Sequence, residues 1–193
     1  GGIGDLDAGV RWQLLAVGEV LELPAIALTA GVLAPTGTPI ERAGGDLGAN
    51  ATGRGAWALG LAMELEKTKV PWYVRLTLGA SIPLPRRIDA LEVDQRAGPS
   101  LTGVLSGGRQ LADGVVLSAI FTTMMEADGT LDGAPVDNSG AADTTAALAL
   151  SYRMTDDLTF QGSVASGLPL SWLGDNRTGQ LRASLGLRWG YVP

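Results

Sequence analysis

Gln180-Leu181-Arg182-Ala183-Ser184-Leu185-Gly186-Leu187-Arg188-Trp189-Gly190-Tyr191 divides cleanly by parity. Its odd positions are Leu181, Ala183, Leu185, Leu187, Trp189 and Tyr191, and its even positions are Gln180, Arg182, Ser184, Gly186, Arg188 and Gly190. Side chains alternate between the two faces of a strand, so one face of this segment is wholly apolar and the other polar or small. A helical period of 3.6 would scatter Arg182 and Arg188 among the leucines. The stretch reads as a half-buried β-strand.

The same alternation recurs through the chain. Leu6, Ala8, Val10, Trp12 and Leu14 alternate with Asp5, Asp7, Gly9, Arg11 and Gln13. After a short connection from Val17 to Pro24, Ile26, Leu28, Ala30 and Val32 stand against Ala25, Ala27, Thr29 and Gly31. Pro35 ends that strand because proline has no N–H for a ladder. A Gly-rich loop, Thr36 to Arg54, leads to a third strand with Trp57, Leu59, Leu61, Met63 and Leu65 opposite Ala56, Ala58, Gly60, Ala62, Glu64 and Glu66. A tight turn over Lys67 to Pro71 precedes the fourth: Trp72, Val74, Leu76, Leu78 and Ile82 against Tyr73, Arg75, Thr77, Gly79 and Ser81. Pro83 to Pro99 reads as a charged, solvated loop. The fifth strand, Ser100 to Leu111, is poorly patterned, and the sixth, Val115 to Glu126, is apolar on both sides; Asp113-Gly114 between them is a hairpin signal. An acidic loop from Ala127 to Ala142 leads to a seventh strand, Thr144 to Met154, which turns at Thr155-Asp156-Asp157 into an eighth, Leu158 to Leu168. Pro169 to Gly179 is the last loop before the closing strand.

Nine strands joined only by hairpins predict an all-β antiparallel up-and-down meander. The connections alternate, short after odd strands and long after even ones, as the two rims of an outer-membrane barrel do. Trp12, Trp72, Tyr152, Trp189 and Tyr191 fall at short-turn ends and Trp57 at a long-loop end, matching interfacial girdles. The polar faces are crowded with Gly, Ala, Ser and Thr, which suits a confined interior; the faces carrying Leu, Val and Trp then look at lipid. A soluble sandwich, with its apolar faces packed together, is the competing architecture. The barrel reading predicts a transmembrane β-barrel in the bacterial outer membrane, one domain over 1–193. If the short turns are periplasmic, the last strand ends there and the first starts at the outer rim. Even strand numbers in such barrels then predict missing N-terminal strands and a total of ten or twelve.

Composition agrees. Of 193 residues, 46% are hydrophobic and 18% charged, yet no apolar run approaches the ~20 residues of a membrane-spanning helix. A net charge of -6 without any basic run argues against nucleic acid as a partner. Cysteine is absent, excluding disulfides and thiolate metal sites. The opening Gly1-Gly2-Ile3-Gly4 predicts a mature or truncated product.

Gly4-Asp5-Leu6, Gly9, Arg11-Trp12 and Leu14-Leu15, followed by Pro24-Ala25, Ala27-Leu28 and Pro35-Thr36-Gly37, resemble an outer-membrane transporter-like β-barrel family associated with meta-pathway phenol degradation. Leu148 to Arg153 and Gly186-Leu187-Arg188-Trp189 are similar in style. In that family a strand region precedes the Gly-Asp-Leu segment. The chain departs from the pattern at its end, where Val192-Pro193 follow Tyr191 instead of a terminal aromatic residue. The resemblance implies a barrel channel or uptake protein for small, hydrophobic or aromatic molecules.

Catalysis has little to work with. Neither His nor Cys occurs, so an ordinary base for nucleophilic chemistry is lacking and no enzyme activity is expected. Gly107-Gly108 and the glycines at the start open no helix and are not phosphate loops. Asp128 to Gly133 resembles half of a calcium loop but has Ser139 where the closing Glu belongs, so neither metal nor cofactor is expected. The candidates are the lumen charges: Arg11, Arg75, Arg153 and Arg188 with Glu64 and Glu66 toward the short-turn rim, and Asp5, Asp7 and Arg182 toward the other. They could set the selectivity of a pore or form Arg–Glu ladders that stiffen a filled barrel. Two functions follow: a channel for small solutes, or a structural barrel anchoring an envelope assembly. The bilayer is the one partner the pattern implies.

Overall fold

A computed structural model describes residues 3–18, 20, 22–43, 50–89, 91–168 and 181–190. The strands are β1 (Leu6–Leu15), β2 (Ala25–Ala34), β3 (Ala58–Lys69), β4 (Trp72–Pro83), β5 (Arg86–Ile88), β6 (Val93–Arg96), β7 (Ser100–Ala112), β8 (Val115–Glu126), β9 (Thr130–Leu131), β10 (Ala134–Pro135), β11 (Ala141–Arg153), β12 (Leu158–Gly167) and β13 (Leu181–Trp189). A single 3-10 turn, Ile40–Arg42, lies between β2 and β3.

Nine long strands form one antiparallel sheet in the order β1-β2-β3-β4-β7-β8-β11-β12-β13. Every neighbour in the sheet is also the neighbour along the chain once the short loop strands are passed over, so the topology is a meander. Register keeps each apolar set on one face. Trp12 faces Leu28, which faces Met63, which faces Leu78. Farther along, Leu76 pairs with Leu105, Leu105 with Phe121, Leu148 with Val164 and Phe160 with Leu187.

Among the described residues nothing packs over that apolar face. Leu61 is 66% exposed, Leu148 61% and Leu185 81%, and no large side chain among the described residues is fully buried. Soluble monomers rarely expose contiguous apolar patches beyond a few hundred Å², so a two-layer sandwich is excluded and the outward face belongs in lipid. This is the wall of a transmembrane β-barrel. β1 and β13 stand at the edges and do not pair with each other among the described residues.

Four expectations are corrected by the ladders. β3 continues to Lys69, because Lys67 and Lys69 pair with Val74 and Trp72, leaving only Val70-Pro71 as the turn. Trp57 stands just outside β3. β11 starts at Ala141, since Ala141, Ala142 and Asp143 pair with Glu126, Met125 and Met124. The segments read as plain loops at 83–99 and 127–142 contain β5, β6, β9 and β10, which form a second, four-stranded sheet in the order β10-β9-β6-β5. The loop from Pro169 to Gly179, together with Gln180 and Tyr191, lies outside the described residues.

The second sheet gathers three of the long connections at one rim. Arg86 donates to Glu41 at 2.6 Å and to Gln95 at 2.9 Å, tying the β2–β3 connection to the β4–β7 connection. Asp132 accepts from the Asp94 amide at 2.8 Å, and the Asp132 amide donates to the Asp94 carbonyl at 2.8 Å. The Asp128 to Gly133 segment therefore contains β9 and, at Asp132-Gly133, the turn into β10.

Gly98 sits where these connections cross. A Cβ there would overlap the Ala127 carbonyl, which is backbone and cannot rotate away. Gly98→Ala is expected to push the two connections apart and leave the nine-stranded wall intact. Limited proteolysis should cut within 84–99 and 127–140 roughly tenfold faster than in the parent, equivalent to ~1.4 kcal/mol of local stability, because cleavage tracks the locally opened population. Unchanged cleavage rates would show that the loop sheet does not depend on this crossing.

Candidate functional site

The inner face is built from the residues of opposite parity. Across the first strands it presents a row without bulk: Gly9 pairs with Gly31, Gly31 with Gly60, Gly60 with Ser81 and Ser81 with Ser100. Above this row opens a cavity of about 490 Å³ whose walls include Asp7, Thr29, Ala62, Gly79, Thr102 and Arg54. Toward the long-loop rim a second cavity of about 290 Å³ is framed by Ile40, Pro83, Arg86, Gln95 and Glu126. Leu33, Arg54 and Ala58 line both, so the two spaces adjoin at the side chain of Arg54. Arg54 lies 4.0 Å from Glu126.

The inner face is not uniformly polar. β8 turns Val116, Ile120 and Met124 inward, since their outward neighbours Leu117, Phe121 and Met125 are fixed by pairing with Arg109, Leu105 and Leu101. The sixth strand therefore carries apolar residues on both sides: one side meets lipid, and on the other Val116, Ile120 and Met124 alternate with Ser118 and Thr122. Tyr73, also inward, donates to Ser118 at 2.8 Å.

The charges sort into pairs. Arg11 reaches past β2 to Glu64 at 2.9 Å and also donates to Gln13 at 2.7 Å. Small residues on β2, Ala27 and Thr29, leave the room for that reach. Arg75 donates through Nε to Glu66 at 2.8 Å, on the adjacent strand. Arg153 sits at the end of β11, 3.3 Å from Asp113 in the β7–β8 turn. Arg182 and Arg188 take inward register positions opposite Ala165 and Thr159.

Asp7 lines the larger cavity. Asp5 accepts from the backbone amides of Gly37 at 2.9 Å and Arg54 at 2.8 Å, so its carboxylate clamps the β2–β3 connection at the rim. The structure therefore brings Arg11 with Glu64 and Arg75 with Glu66, and it leaves Arg153, Arg182 and Arg188 apart from that group.

Two inward carboxylates escaped the sequence reading. Asp143 falls between the loop read as ending at Ala142 and the strand read as starting at Thr144, and Glu126 ends a strand whose two apolar sides hide its parity; register places both inward, with Glu126 beside Ser100 and Asp143 beside Met124. Arg86 and Glu41, the least exposed ion pair among the described residues, lie in separate connections and carry no sequence signal of proximity. No cluster of His, Cys, Asp or Glu suited to a metal occurs among the described residues.

No family model matches the sequence, and no curated protein matches it. Among solved structures, an outer membrane channel from Pseudomonas putida F1 is similar with a TM-score of 0.73 at 18% identity, over 96% of this chain. The chain spans 65% of the length of that neighbour. At this identity the likeness is one of fold: the nine-stranded meander has the architecture of an outer-membrane β-barrel.

Proposed function

We propose that this chain forms wall of an outer-membrane channel that admits small solutes, with the β1 and β13 edges completed by further strands to ten or twelve. Inside a bilayer an unpaired strand edge leaves backbone N–H and C=O groups unsatisfied at several kcal/mol each, so both edges require partners. The observation that carries the reading is the glycine row beneath the 490 Å³ inner cavity. A barrel serving only as an anchor has no use for such a row, because small barrels fill their interiors with side chains. The inward Val116, Ile120 and Met124 favour solutes with an apolar or aromatic part. The similar fold of an outer membrane channel supports the same reading. Among the described residues no inward groups form a nucleophile–base pair, and the function proposed is transport without chemistry.

Gly60 offers the sharpest test. A Cβ there would find only the Gly31 and Ala80 carbonyl oxygens at 3.9 and 4.0 Å, so a side chain enters the lumen without displacing backbone. In planar bilayers the complete protein is expected to conduct, and Gly60→Trp is expected to lower conductance at least severalfold while strand content by circular dichroism is retained. The paired charges favour one competitor, a stiffened barrel acting as a structural subunit. Absence of conductance in the parent would reject the channel and leave that competitor.

A further inference from the structure

Among the described residues Arg54 is the one charged side chain that lines both adjoining cavities, and the backbone around it is held from several sides. Both oxygens of Asp5 accept from backbone amides, one of them that of Arg54, so the carboxylate fixes the Arg54 main chain and not its guanidinium. Thr52 donates to the Ile3 carbonyl at 2.9 Å, and the Gly53 amide donates to the Thr38 carbonyl at 3.1 Å. The residues on either side are glycines with no room for a side chain. A Cβ on Gly53 would overlap the Asp5 carboxylate and the Gly37 backbone, and one on Gly55, at φ +69°, would overlap the Arg86 guanidinium. In Gly53-Arg54-Gly55 only the arginine carries a side chain, and that side chain stands where the two cavities meet.

The guanidinium is open to a ligand. It is 62% exposed, and Glu126 stands 4.0 Å away, beyond hydrogen-bond distance. Among the described residues no hydrogen bond reaches it. The other arginine of the rim cavity is already occupied: Arg86 gives both terminal nitrogens to Glu41 and its Nε to Gln95. Around them the wall is apolar, with Leu33, Ile40, Ala58, Pro83 and Ala97. A space of about 290 Å³ lies at the small end of ligand pockets. With an open guanidinium at its inner exit, it complements a compact apolar body bearing one carboxylate. The planar fork of arginine matches the two oxygens of such a group. Glu126 keeps the attraction modest, because its charge opposes a second carboxylate beside the same guanidinium. A solute in transit must be held weakly enough to leave.

We propose that Arg54 is a carboxylate-binding residue at the junction of the two cavities, selecting compact apolar solutes that carry a single carboxylate. The proposal rests on the channel reading and narrows its class of solute. The Arg11–Glu64 and Arg75–Glu66 pairs lie toward the other rim and take no part.

The complete protein in phosphatidylcholine nanodiscs is titrated with 4-fluorobenzoate and followed by fluorine NMR, with uptake by empty nanodiscs subtracted. The uncharged comparison is 4-fluorobenzyl alcohol. Arg54→Gln is expected to weaken benzoate binding about tenfold and leave the alcohol unchanged, because a charge-assisted pair is lost. Arg54→Lys keeps the charge without the fork, is expected to weaken binding about threefold, and decides the matter if Arg54→Gln misfolds. Glu126→Gln should tighten binding about threefold by removing a like charge. Arg42→Gln removes an exposed cation that lines neither cavity and is expected to change nothing.

Equal benzoate affinities in the parent and Arg54→Gln overturn the site, as does the absence of saturable binding in the parent. A matching loss in Arg42→Gln also overturns it, since the attraction would then belong to the general field of the rim. Tighter binding of 4-fluorobenzylamine than of the benzoate assigns the junction to Glu126 and overturns the solute class. The channel is read separately, as conductance of the same preparations in planar bilayers. Arg54-dependent binding without conductance upholds the site and rejects the channel; conductance without Arg54-dependent binding overturns the site and keeps the channel.

Discussion

Leu148→Arg lowers the folding free energy in vesicles by about 2–4 kcal/mol, and Ala149→Arg, one residue along, costs far less. Leu148 lies mid-strand on β11, 61% exposed, with Ala119 and Val164 as its outward partners. An arginine there meets hydrocarbon near the bilayer midplane, where a lipid-facing Arg typically costs a barrel about 2–4 kcal/mol. Ala149 faces inward between Ser118 and Ser163, where small hydroxylic neighbours leave space and hydrogen-bonding partners for a guanidinium. Urea titration of refolding into vesicles separates the two. Equal losses would mean that both faces of the wall are dry, which would return a soluble double-sided core to consideration.

The paired charges set the second large effect. Glu64→Gln/Glu66→Gln removes the carboxylates that neutralise Arg11 and Arg75 and is expected to shift the channel toward anions. Arg11→Gln/Arg75→Gln leaves the two glutamates and is expected to shift it toward cations. The two double variants are expected to differ in anion-over-cation permeability by on the order of tenfold, equivalent to ~1.4 kcal/mol, a reasonable scale for a few unit charges acting within several ångströms in a wet lumen. Reversal potentials in a salt gradient read this directly. Clear conductance with ratios within about twofold of each other would make the pairs a scaffold, with selectivity set elsewhere. Four short-turn arginines alone would suggest a strongly positive rim, but Arg11, Arg75 and Arg153 each lie beside a carboxylate. In the parent the rim is therefore closer to neutral than the arginines by themselves imply.

Parity carried most of the fold. Strands such as β1, β4 and β13 have one face of Leu, Val and Trp and one of Gly, Ser, Thr and Arg, and a period of two can be read from residues alone because it is a property of the extended backbone. Loop lengths gave the meander, since antiparallel neighbours need only a hairpin. The placement of Arg11, Arg75, Arg182 and Arg188 on the inner face followed from the same parity.

Other features depend on pairing between segments far apart in the chain. β5, β6, β9 and β10 are two to four residues long, too short for any periodicity, and exist because Gln95 and Arg96 meet Leu131 and Thr130. The inward side of β8 needed Leu105 opposite Phe121 to be recognised, as both of its faces are apolar. Which glutamate neutralises which arginine was also beyond the sequence: Arg11 passes over an entire strand to Glu64, a contact set by side-chain length and by the small residues of β2 between them. Lys69, Trp72 and Arg109 likewise become outward neighbours only through the ladders of β3, β4 and β7. The sequence by itself determined the nine long strands, their order and, outside β8, which face is apolar, because these follow from local alternation and hydrophobicity. Only the tertiary structure decided the ion pairs, the loop sheet and the adjoining cavities, because each is made by side chains whose separation in space is fixed by register and not by distance along the chain.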